Sequence, residues 1–348
     1  MWREIPIRGN GASGDDTVKR GSGEDNSMSA PLPEDWIREI GNTGIRTSAI
    51  IAGASPLGSM PGLYGYEVDE GDAIDLVRQV LKSPIRAFDT SNNYGDGESE
   101  RRIAAGIAAA GGLPDDFTVI TKVDALDGDF SGDRVRRSLD ESQDRLGLGT
   151  LPLLFLHDPE GFDFNVITQP GGAVDTLVAL KAEGRVEHIG IAAGDVHVVS
   201  RYVALDVFEV LLSHSRWTLV DRSANALFDQ ASAAGMGVLN AAIYGGGVLA
   251  NPTGSSRYGY SEAPTPILEA VAAMNQACLA HGTDLATAAL QFSMRDPRVH
   301  ATVVGFTKPT RIASLTASAA AVLPDELWTD LERLVPSKEH WLDFRPAG

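Results

Sequence analysis

Three apolar stretches of the chain each end in a polar residue that can take part in hydride chemistry. The first stretch begins at Ile85 and ends at Asp89, and Tyr94 follows five residues later. The other two stretches end at Lys122 and His157. If these stretches are neighbouring strands of a parallel sheet, the four side chains meet on one rim, where a carbonyl or hydroxyl group can be bound.

The four residue types suit proton-coupled hydride transfer. Reduction of a carbonyl needs a proton donor for the developing alkoxide, and the reverse reaction needs a base for the hydroxyl proton. A free phenol is a weak base near neutrality because its pKa is about 10, and a nearby ammonium stabilises the phenolate. We therefore expect Lys122 to lower the pKa of Tyr94, with Asp89 holding Lys122 in place. His157 is expected to hydrogen-bond the substrate oxygen and polarise it.

The elements that must position these residues alternate regularly along the chain. Apolar runs predict eight strands, at residues 48–52, 85–89, 118–121, 151–156, 186–191, 207–212, 237–242 and 300–304. Amphipathic stretches predict helices at residues 70–82, 98–110, 131–146, 173–183, 196–204, 223–234, 265–281, 284–294, 309–320 and 324–334. Eight apolar strands separated by helices predict a closed, all-parallel (β/α)8 TIM barrel. The alternative is a doubly wound sheet, but residues 53–58 lack its G-x-G-x-x-G spacing and contain Pro56.

Composition and charge exclude several classes of protein. The 348 residues carry a net charge of −18, which disfavours nucleic-acid binding because phosphate recognition needs clustered Lys and Arg. The single cysteine, Cys278, allows no intramolecular disulfide, and the spacing of Cys and His does not fit a metal site. No apolar run reaches the length of a membrane span, and the first residues lack the apolar core of a secretory signal. We expect a cytoplasmic protein that binds a small molecule and no metal.

Residues 1–27 differ in composition from the rest of the chain. They are rich in Gly, Ser and Asp, and Trp2 is their one aromatic residue. Such a segment buries too little apolar surface to offset an ordering cost of about 1–2 kcal/mol per residue. We expect a flexible, dispensable tail at residues 1–27 and a single catalytic barrel domain at residues 28–348.

Five short motifs together resemble those of the aldo-keto reductase family. They lie at residues 88–95, 120–122, 156–159, 184–190 and 303–309, and so are spread over most of the chain. The resemblance implies a barrel enzyme that binds a nicotinamide dinucleotide, NAD or NADP, without a Rossmann domain. It also implies that the catalytic residues are Asp89, Tyr94, Lys122 and His157.

The same resemblance places the cofactor phosphates after the eighth strand. The residues implied there are Gly305, Phe306, Thr307, Lys308 and Arg311. A glycine that allows close backbone approach, followed by a helix N-terminus near Pro309, fits an anion site.

Other positions depart from the family's pattern. The chain has Ala241 and Ala242 where many relatives carry a tyrosine that stacks on nicotinamide, and we expect Trp217 and His214 to approach the cofactor instead. It also lacks the acidic residue and the asparagine that many relatives carry near Ser314. Lys308 and Arg311 suit the ribose phosphate of NADP, whereas the missing partners favour NAD, so the choice between the two stays open.

Residues 212–221 and 244–250 resemble one branch of the family, the sugar-oxidising aldose 1-dehydrogenases and the related pyridoxal 4-dehydrogenase. These enzymes oxidise a cyclic hemiacetal to a lactone, which implies the same reaction here, with Tyr94 as the acid/base. Two alternatives remain: an NADPH-dependent aldehyde or ketone reductase with the same site, and a regulatory subunit that only holds the cofactor. The four intact site residues argue against the regulatory subunit. Both a monomer and a homodimer are compatible with the sequence.

Overall fold

The computed structural model describes residues 31–346, whose centre is a closed barrel of parallel strands. In chain order the strands are β1 (Ile37–Glu39), β2 (Arg46–Ser48), β3 (Ile50–Gly53), β4 (Ala87–Asp89), β5 (Thr118–Val123), β6 (Leu151–His157), β7 (Val186–Ala193), β8 (Val210–His214), β9 (Gly237–Ala241), β10 (Arg257–Tyr258), β11 (Ser261–Glu262) and β12 (Ala301–Gly305). Strands β3 to β9 follow one another around the barrel, and β12 closes it between β9 and β3. The predicted TIM barrel is confirmed, since each of the eight predicted strands overlaps one of these barrel strands.

Helices cover the outside of the barrel and connect its strands. They are α1 (Pro61–Tyr64), α2 (Glu70–Leu81), α3 (Glu98–Ala110), α4 (Gly132–Leu146), α5 (Phe164–Thr168), α6 (Ala173–Ala182), α7 (Val196–Val203), α8 (Asn225–Ala233), α9 (Thr265–Ala280), α10 (Leu285–Met294), α11 (Thr310–Ala320) and α12 (Asp325–Arg333). Each of the ten predicted helices overlaps an observed helix. The ends differ by one or two residues where a capping residue lies outside the helix: Ser131 precedes α4, and its hydroxyl oxygen accepts from the Arg134 amide at 3.3 Å.

Two short antiparallel hairpins were not predicted from the sequence. β1 and β2 form an antiparallel hairpin before the barrel, and β10 and β11 form another in the long connection after β9. The predicted strand at residues 48–52 is therefore divided, because Ser48 ends β2 and the barrel strand begins at Ile50. The four hairpin strands have two or three residues each and are mostly polar, so they do not form the apolar runs from which the barrel strands were predicted.

The hairpin of β1 and β2 closes the amino-terminal end of the barrel. Its turn residue Ile40 is fully buried and belongs to the hydrophobic cluster inside the barrel, with Ile51, Phe155 and Leu239. The Ile40 side chain lies so close to Gly237, the first residue of β9, that a Cβ there would be 2.5 Å from its Cγ2 atom. Ile40 therefore fills the barrel end opposite to the loops that follow the strands.

The predicted tail at residues 1–27 lies outside the described residues and stays a prediction. Within residues 31–346, no helix has both the length and the apolar character needed to cross a membrane.

We predict that Ile40→Ala lowers the free energy of unfolding by about 2–5 kcal/mol, because it removes buried methyl groups and leaves a cavity in the barrel end. Denaturant unfolding followed by circular dichroism measures this change. Ile37→Ala is the matched control: Ile37 is 40% exposed, and its loss should change stability by about 0.5 kcal/mol or less. Similar losses for the two variants would show that Ile40 does not seal the barrel.

Candidate active site

The period of two along a strand brings three predicted site residues to the inside of the barrel. Asp89 ends β4, Lys122 lies near the end of β5, and His157 ends β6. The interior positions before them are apolar and buried, with Ala87 and Ile120 among them. The three strands are parallel neighbours, so the three polar side chains occur together at the carboxyl end of the barrel.

A buried ion pair joins two of these residues. Lys122 is 1% exposed, and its Nζ atom donates to Asp89 Oδ2 at 2.9 Å. The same ammonium donates to the carbonyl oxygen of Thr90 at 2.6 Å and to the Tyr94 hydroxyl at 3.4 Å. Three acceptors thus use the three N–H groups of Lys122, which fixes its direction toward Tyr94.

The loop after β4 places Tyr94 beside this ion pair. The loop reverses at Gly95, whose φ of 61° is unfavourable for other residues and whose Cα faces the backbone of Gly58, where a Cβ would be 1.9 Å from the Gly58 oxygen. The Tyr94 ring meets the His157 ring edge to face, with centroids 5.6 Å apart. The four predicted catalytic residues therefore lie together.

The protonation of Tyr94 differs from the sequence expectation. Removal of its hydroxyl from water raises its pKa well above the usual 10, and the carboxylates of Asp89, Asp158 and Asp124 add to that rise. The net shift is therefore upward, because burial and the three carboxylates outweigh any effect of the Lys122 ammonium, whose own influence on this pKa stays a prediction. The raised pKa favours the protonated phenol, which can donate a hydrogen bond to a bound oxygen.

A second carboxylate that sequence reasoning missed holds His157. Asp124 is 3% exposed, and its Oδ1 atom lies 2.6 Å from His157 Nδ1. Its Oδ2 atom accepts from the Ser91 hydroxyl and, at 3.1 Å, from the Asn93 amide. Asp124 follows Lys122 by two residues, so strand alternation places both on the inner side, and this spacing was the available signal.

Charged residues of α4 support the loop after β4 from behind. Arg134 donates to both oxygens of Glu141 at 2.7 Å, to Asn92 Oδ1 at 3.0 Å and to the Asp124 carbonyl at 3.0 Å. Arg145 donates to the Asn92 carbonyl at 2.7 Å. These bonds fix the loop residues between Asp89 and Tyr94.

Residues from two further loops form the rim near His157. Asp158 adopts a left-handed conformation with φ of 42°, and its carboxylate lies 3.6 Å from His157 Nε2 and 3.7 Å from His214 Nε2. Burial acts to raise the pKa of Asp158, but the two histidines lower it overall. Tyr260 lies over His214 with a hydroxyl-to-Nδ1 distance of 3.4 Å. The structure thus brings the predicted residue His214 to the mouth of the site.

The predicted phosphate segment forms the turn between β12 and α11. Gly305 pairs with Gly53 of β3, and a Cβ at Gly305 would be 3.1 Å from Pro56, so the backbone here is bare on both strands. No side chain caps α11, which begins at Thr310, and the exposed Lys308 precedes it. Bare backbone, an uncapped helix start and a cation fit the phosphates of a dinucleotide.

The remaining members of this segment differ in what they can offer to a cofactor. The Thr307 side chain lies beside Tyr66 of the loop after β3, and Arg311 lies beside Tyr244 after β9. Phe306 is 7% exposed and packs in the hydrophobic core, so it offers only its backbone.

The structure does not bring Trp217 to the catalytic side chains. Its ring packs against Phe228 of α8 and Phe292 of α10, with centroids 5.8 Å and 5.4 Å away, and it is 8% exposed. These contacts place the ring among the outer helices. The expected cofactor contact of Trp217 is not supported by this packing, since an aromatic residue after a strand can face the helices as readily as the site.

The aldo/keto reductase family matches residues 49–336, and the chain belongs to this family. The family uses nicotinamide cofactors, and the protein is an NAD(P)-dependent oxidoreductase. Three characterised relatives are similar over most of their length. D-threo-aldose 1-dehydrogenase of Pseudomonas sp is 27% identical, with 84% of this chain and 96% of the relative covered. Pyridoxal 4-dehydrogenase of Microbacterium luteolum is 28% identical, with 84% and 96% covered. L-galactose dehydrogenase of Arabidopsis thaliana is 31% identical, with 86% and 92% covered.

Solved structures share the fold at lower identity. An aldo-keto reductase from Bacillus halodurans in its holo form superposes with a TM-score of 0.71 at 19% identity, covering 87% of this chain and 96% of that one. A glycerol dehydrogenase from Gluconobacter oxydans gives 0.69 at 16% identity, covering 90% and 98%. At such identities the likeness supports the barrel alone.

We predict that Tyr94→Phe lowers turnover by more than about a hundredfold, the low end of general acid–base contributions, because only the hydroxyl at the site is lost. Cofactor affinity, measured by fluorescence titration, should be unchanged. Tyr202→Phe is the matched control, since the buried Tyr202 hydroxyl has no partner among the described residues and packs away from the site. Near-normal turnover of Tyr94→Phe would contradict the assignment.

Proposed function

We propose that the protein oxidises the hydroxyl of a cyclic hemiacetal, such as that of an aldose, to a lactone, with NAD or NADP as the electron acceptor. The observation that carries the proposal is the joint placement of Asp89, Tyr94, Lys122 and His157 at the carboxyl end of the barrel. The names of the three relatives support the substrate class, since two of them are sugar dehydrogenases and the third acts on pyridoxal.

Each of the four site residues would have its own role in the oxidation. Tyr94, in its phenolate form, would accept the substrate hydroxyl proton as the acid/base, and the Lys122 ammonium, 3.4 Å from the Tyr94 oxygen, would stabilise that form. Asp89 balances the charge of Lys122. His157, the last residue of β6, would face the same oxygen. A bound oxidised nicotinamide would accept the hydride, and Gly305, Thr307, Lys308 and Arg311 would hold its dinucleotide part.

A substrate panel tests this function. Aldoses, pyridoxal and simple aldehydes would be offered with NAD and with NADP in both directions, and lactone formation would be followed by trapping with hydroxylamine. We predict that oxidation of a sugar or similar hemiacetal has the highest kcat/KM. Efficient reduction of aldehydes without hemiacetal oxidation would instead support a reductase. Cofactor binding without any turnover would support a regulatory subunit.

The preference between NAD and NADP depends on the turn before α11. Arg311 lies beside Tyr244, and Lys308 is exposed one turn before it. We predict that Arg311→Ala weakens NADP binding more than NAD binding, because a ribose phosphate offers the guanidinium a charged contact that NAD lacks. Isothermal titration with both cofactors measures the difference. Arg333→Ala, on the exposed side of α12, is the control, and an equal loss for both cofactors would mean that Arg311 contacts their shared part.

The small-molecule substrate, the cytoplasmic location and the monomeric or homodimeric state remain parts of the proposal. The negative net charge of −18 supports the absence of a nucleic-acid partner.

A further inference from the structure

We propose that Asp158 is a specificity-determining residue whose carboxylate accepts a hydrogen bond from the substrate hydroxyl next to the reacting carbon. This proposal rests on the proposed function and deepens it, since it narrows the substrate class to neutral, polyhydroxylated hemiacetals. For an aldose that reacts at its first carbon, the recognised group is the 2-hydroxyl.

The backbone at Asp158 turns its side chain into the site. Successive residues of an extended strand point to opposite sides, so the residue after His157 would face away from the barrel interior. Asp158 instead has φ of 42° and ψ of 55°, a left-handed conformation that costs free energy for a residue other than glycine. This turn brings its Oδ2 atom to 3.6 Å from His157 Nε2. An uncommon backbone conformation thus aims a carboxylate at the ring that faces the reacting oxygen.

The carboxylate of Asp158 has unused capacity for hydrogen bonds. Among the described residues, its ion-pair contacts are with His157 Nε2 at 3.6 Å and His214 Nε2 at 3.7 Å, and both are beyond ordinary hydrogen-bond length. The side chain is 54% exposed, so water reaches its oxygens. A substrate that covers Asp158 has to replace this water with donors of its own, because an unsatisfied charged acceptor is costly.

Two other carboxylates at this end of the barrel are not available for the same role. Lys122 donates to Asp89 at 2.9 Å, and Asp124 lies 2.6 Å from His157 Nδ1. Both carboxylates are at most 5% exposed. Of these three, Asp158 is therefore the one that is open to a substrate.

The distance between Asp158 and His157 identifies the hydroxyl that is recognised. Nδ1 of His157 contacts Asp124, so Nε2 is the ring nitrogen left to face the reacting oxygen. A ligand that bonds both Nε2 and Asp158 Oδ2 needs two oxygens close together, since these two protein atoms are only 3.6 Å apart. Oxygens on adjacent carbons of a sugar meet this requirement, which points to the carbon next to the reacting one.

The charge of Asp158 also defines which substrates the site disfavours. Burial acts to raise its pKa, but His157 and His214 hold that pKa well below its usual range, so the carboxylate is ionised near neutrality. A phosphate or carboxylate on the neighbouring carbon would meet a like charge. An alkyl group there would leave Asp158 without a donor. A hydroxyl satisfies it, so the site favours neutral sugars over acidic sugars and simple aldehydes.

The first test measures selectivity for the 2-hydroxyl by comparing kcat/KM for L-galactose and 2-deoxy-L-galactose in wild type and Asp158→Ala. We expect Asp158→Ala to lower the ratio of the two values by about ten- to a hundredfold, the range for one hydrogen bond to a charged group. The intrinsic reactivities of the sugars cancel when the ratios are compared. A merely structural role would lower both values equally, and an unchanged ratio would overturn the proposal.

Asp206→Ala is the matched control. Asp206 is also an exposed aspartate in a left-handed conformation, with φ of 57°, but it lies between α7 and β8 at the opposite end of the barrel. Its loss should leave the ratio at the wild-type value. Asp158→Asn separates recognition from folding, because asparagine keeps the size and tolerates a left-handed backbone. We expect its ratio to fall in the same direction by a smaller factor, and a wild-type ratio in this variant and in Asp158→Ala would contradict the assignment.

The second test does not depend on turnover. Both sugars are titrated into Tyr94→Phe with bound cofactor, with and without Asp158→Ala, and binding is followed by NMR of the sugar signals. We expect Asp158→Ala to weaken L-galactose binding by about tenfold and to leave 2-deoxy-L-galactose nearly unchanged. Equal effects on the two sugars, or no binding of L-galactose, would overturn the proposal. If the wild type oxidised none of the panel, the proposed function would fail, whereas this binding difference would still decide whether Asp158 recognises the 2-hydroxyl.

Discussion

The buried ion pair between Lys122 and Asp89 is the interaction on which the site depends. Taking an ammonium and a carboxylate out of water costs several kcal/mol per ion, and only close, fully satisfied geometry offsets this. Lys122 meets that condition, because Asp89, Thr90 and Tyr94 accept its three protons. The pair therefore requires β4 and β5 to keep their parallel register. Through its contact with the Tyr94 hydroxyl, Lys122 also orients that group.

Further ion pairs behind the site surround the buried Lys122–Asp89 pair with charges of both signs. The Arg134 side chain donates to the Asp124 carbonyl and to both carboxylate oxygens of Glu141. Arg145 forms an ion pair with the fully buried Glu100 at 3.1 Å. Burial raises the pKa of Glu100, and bonds from Thr121, Ser142 and Arg145 oppose that rise. The loop between Asp89 and Tyr94 passes through this network, so its conformation follows from electrostatics behind the site as much as from the loop's own sequence.

The sequence predicted the barrel and the four catalytic candidates because both follow from strand periodicity. Eight apolar runs separated by helices have few other solutions, and a polar residue that ends a barrel strand must lie on the loop side. The hairpin of β1 and β2 escaped prediction because its two strands, IRE and RTS, contain one apolar residue between them and so form no apolar run. The upward shift of the Tyr94 pKa could not be predicted for another reason. The shift combines the burial of the hydroxyl with the charges of Asp89, Asp124 and Asp158, and it can be worked out only once the positions of those residues are known. Trp217 shows the same limit, because its position after β8 does not say which layer its ring joins.

The arrangement separates a dry inner layer from a wetter rim, and this separation suits a reaction that releases a proton. Asp89, Lys122 and Asp124 are each at most 5% exposed, and each contacts another polar side chain of the site within 3 Å. Asp158 at the rim is half-exposed and lies between His157 and His214, and Tyr260, 64% exposed, covers His214. The inner charges can fix the geometry of the site because water does not screen them, whereas the carboxylate of Asp158 at the rim is in contact with solvent. Asp158, His214 and Tyr260 lie at or beyond the ends of different strands, so they can vary the shape of the mouth without disturbing the ion pair beneath it.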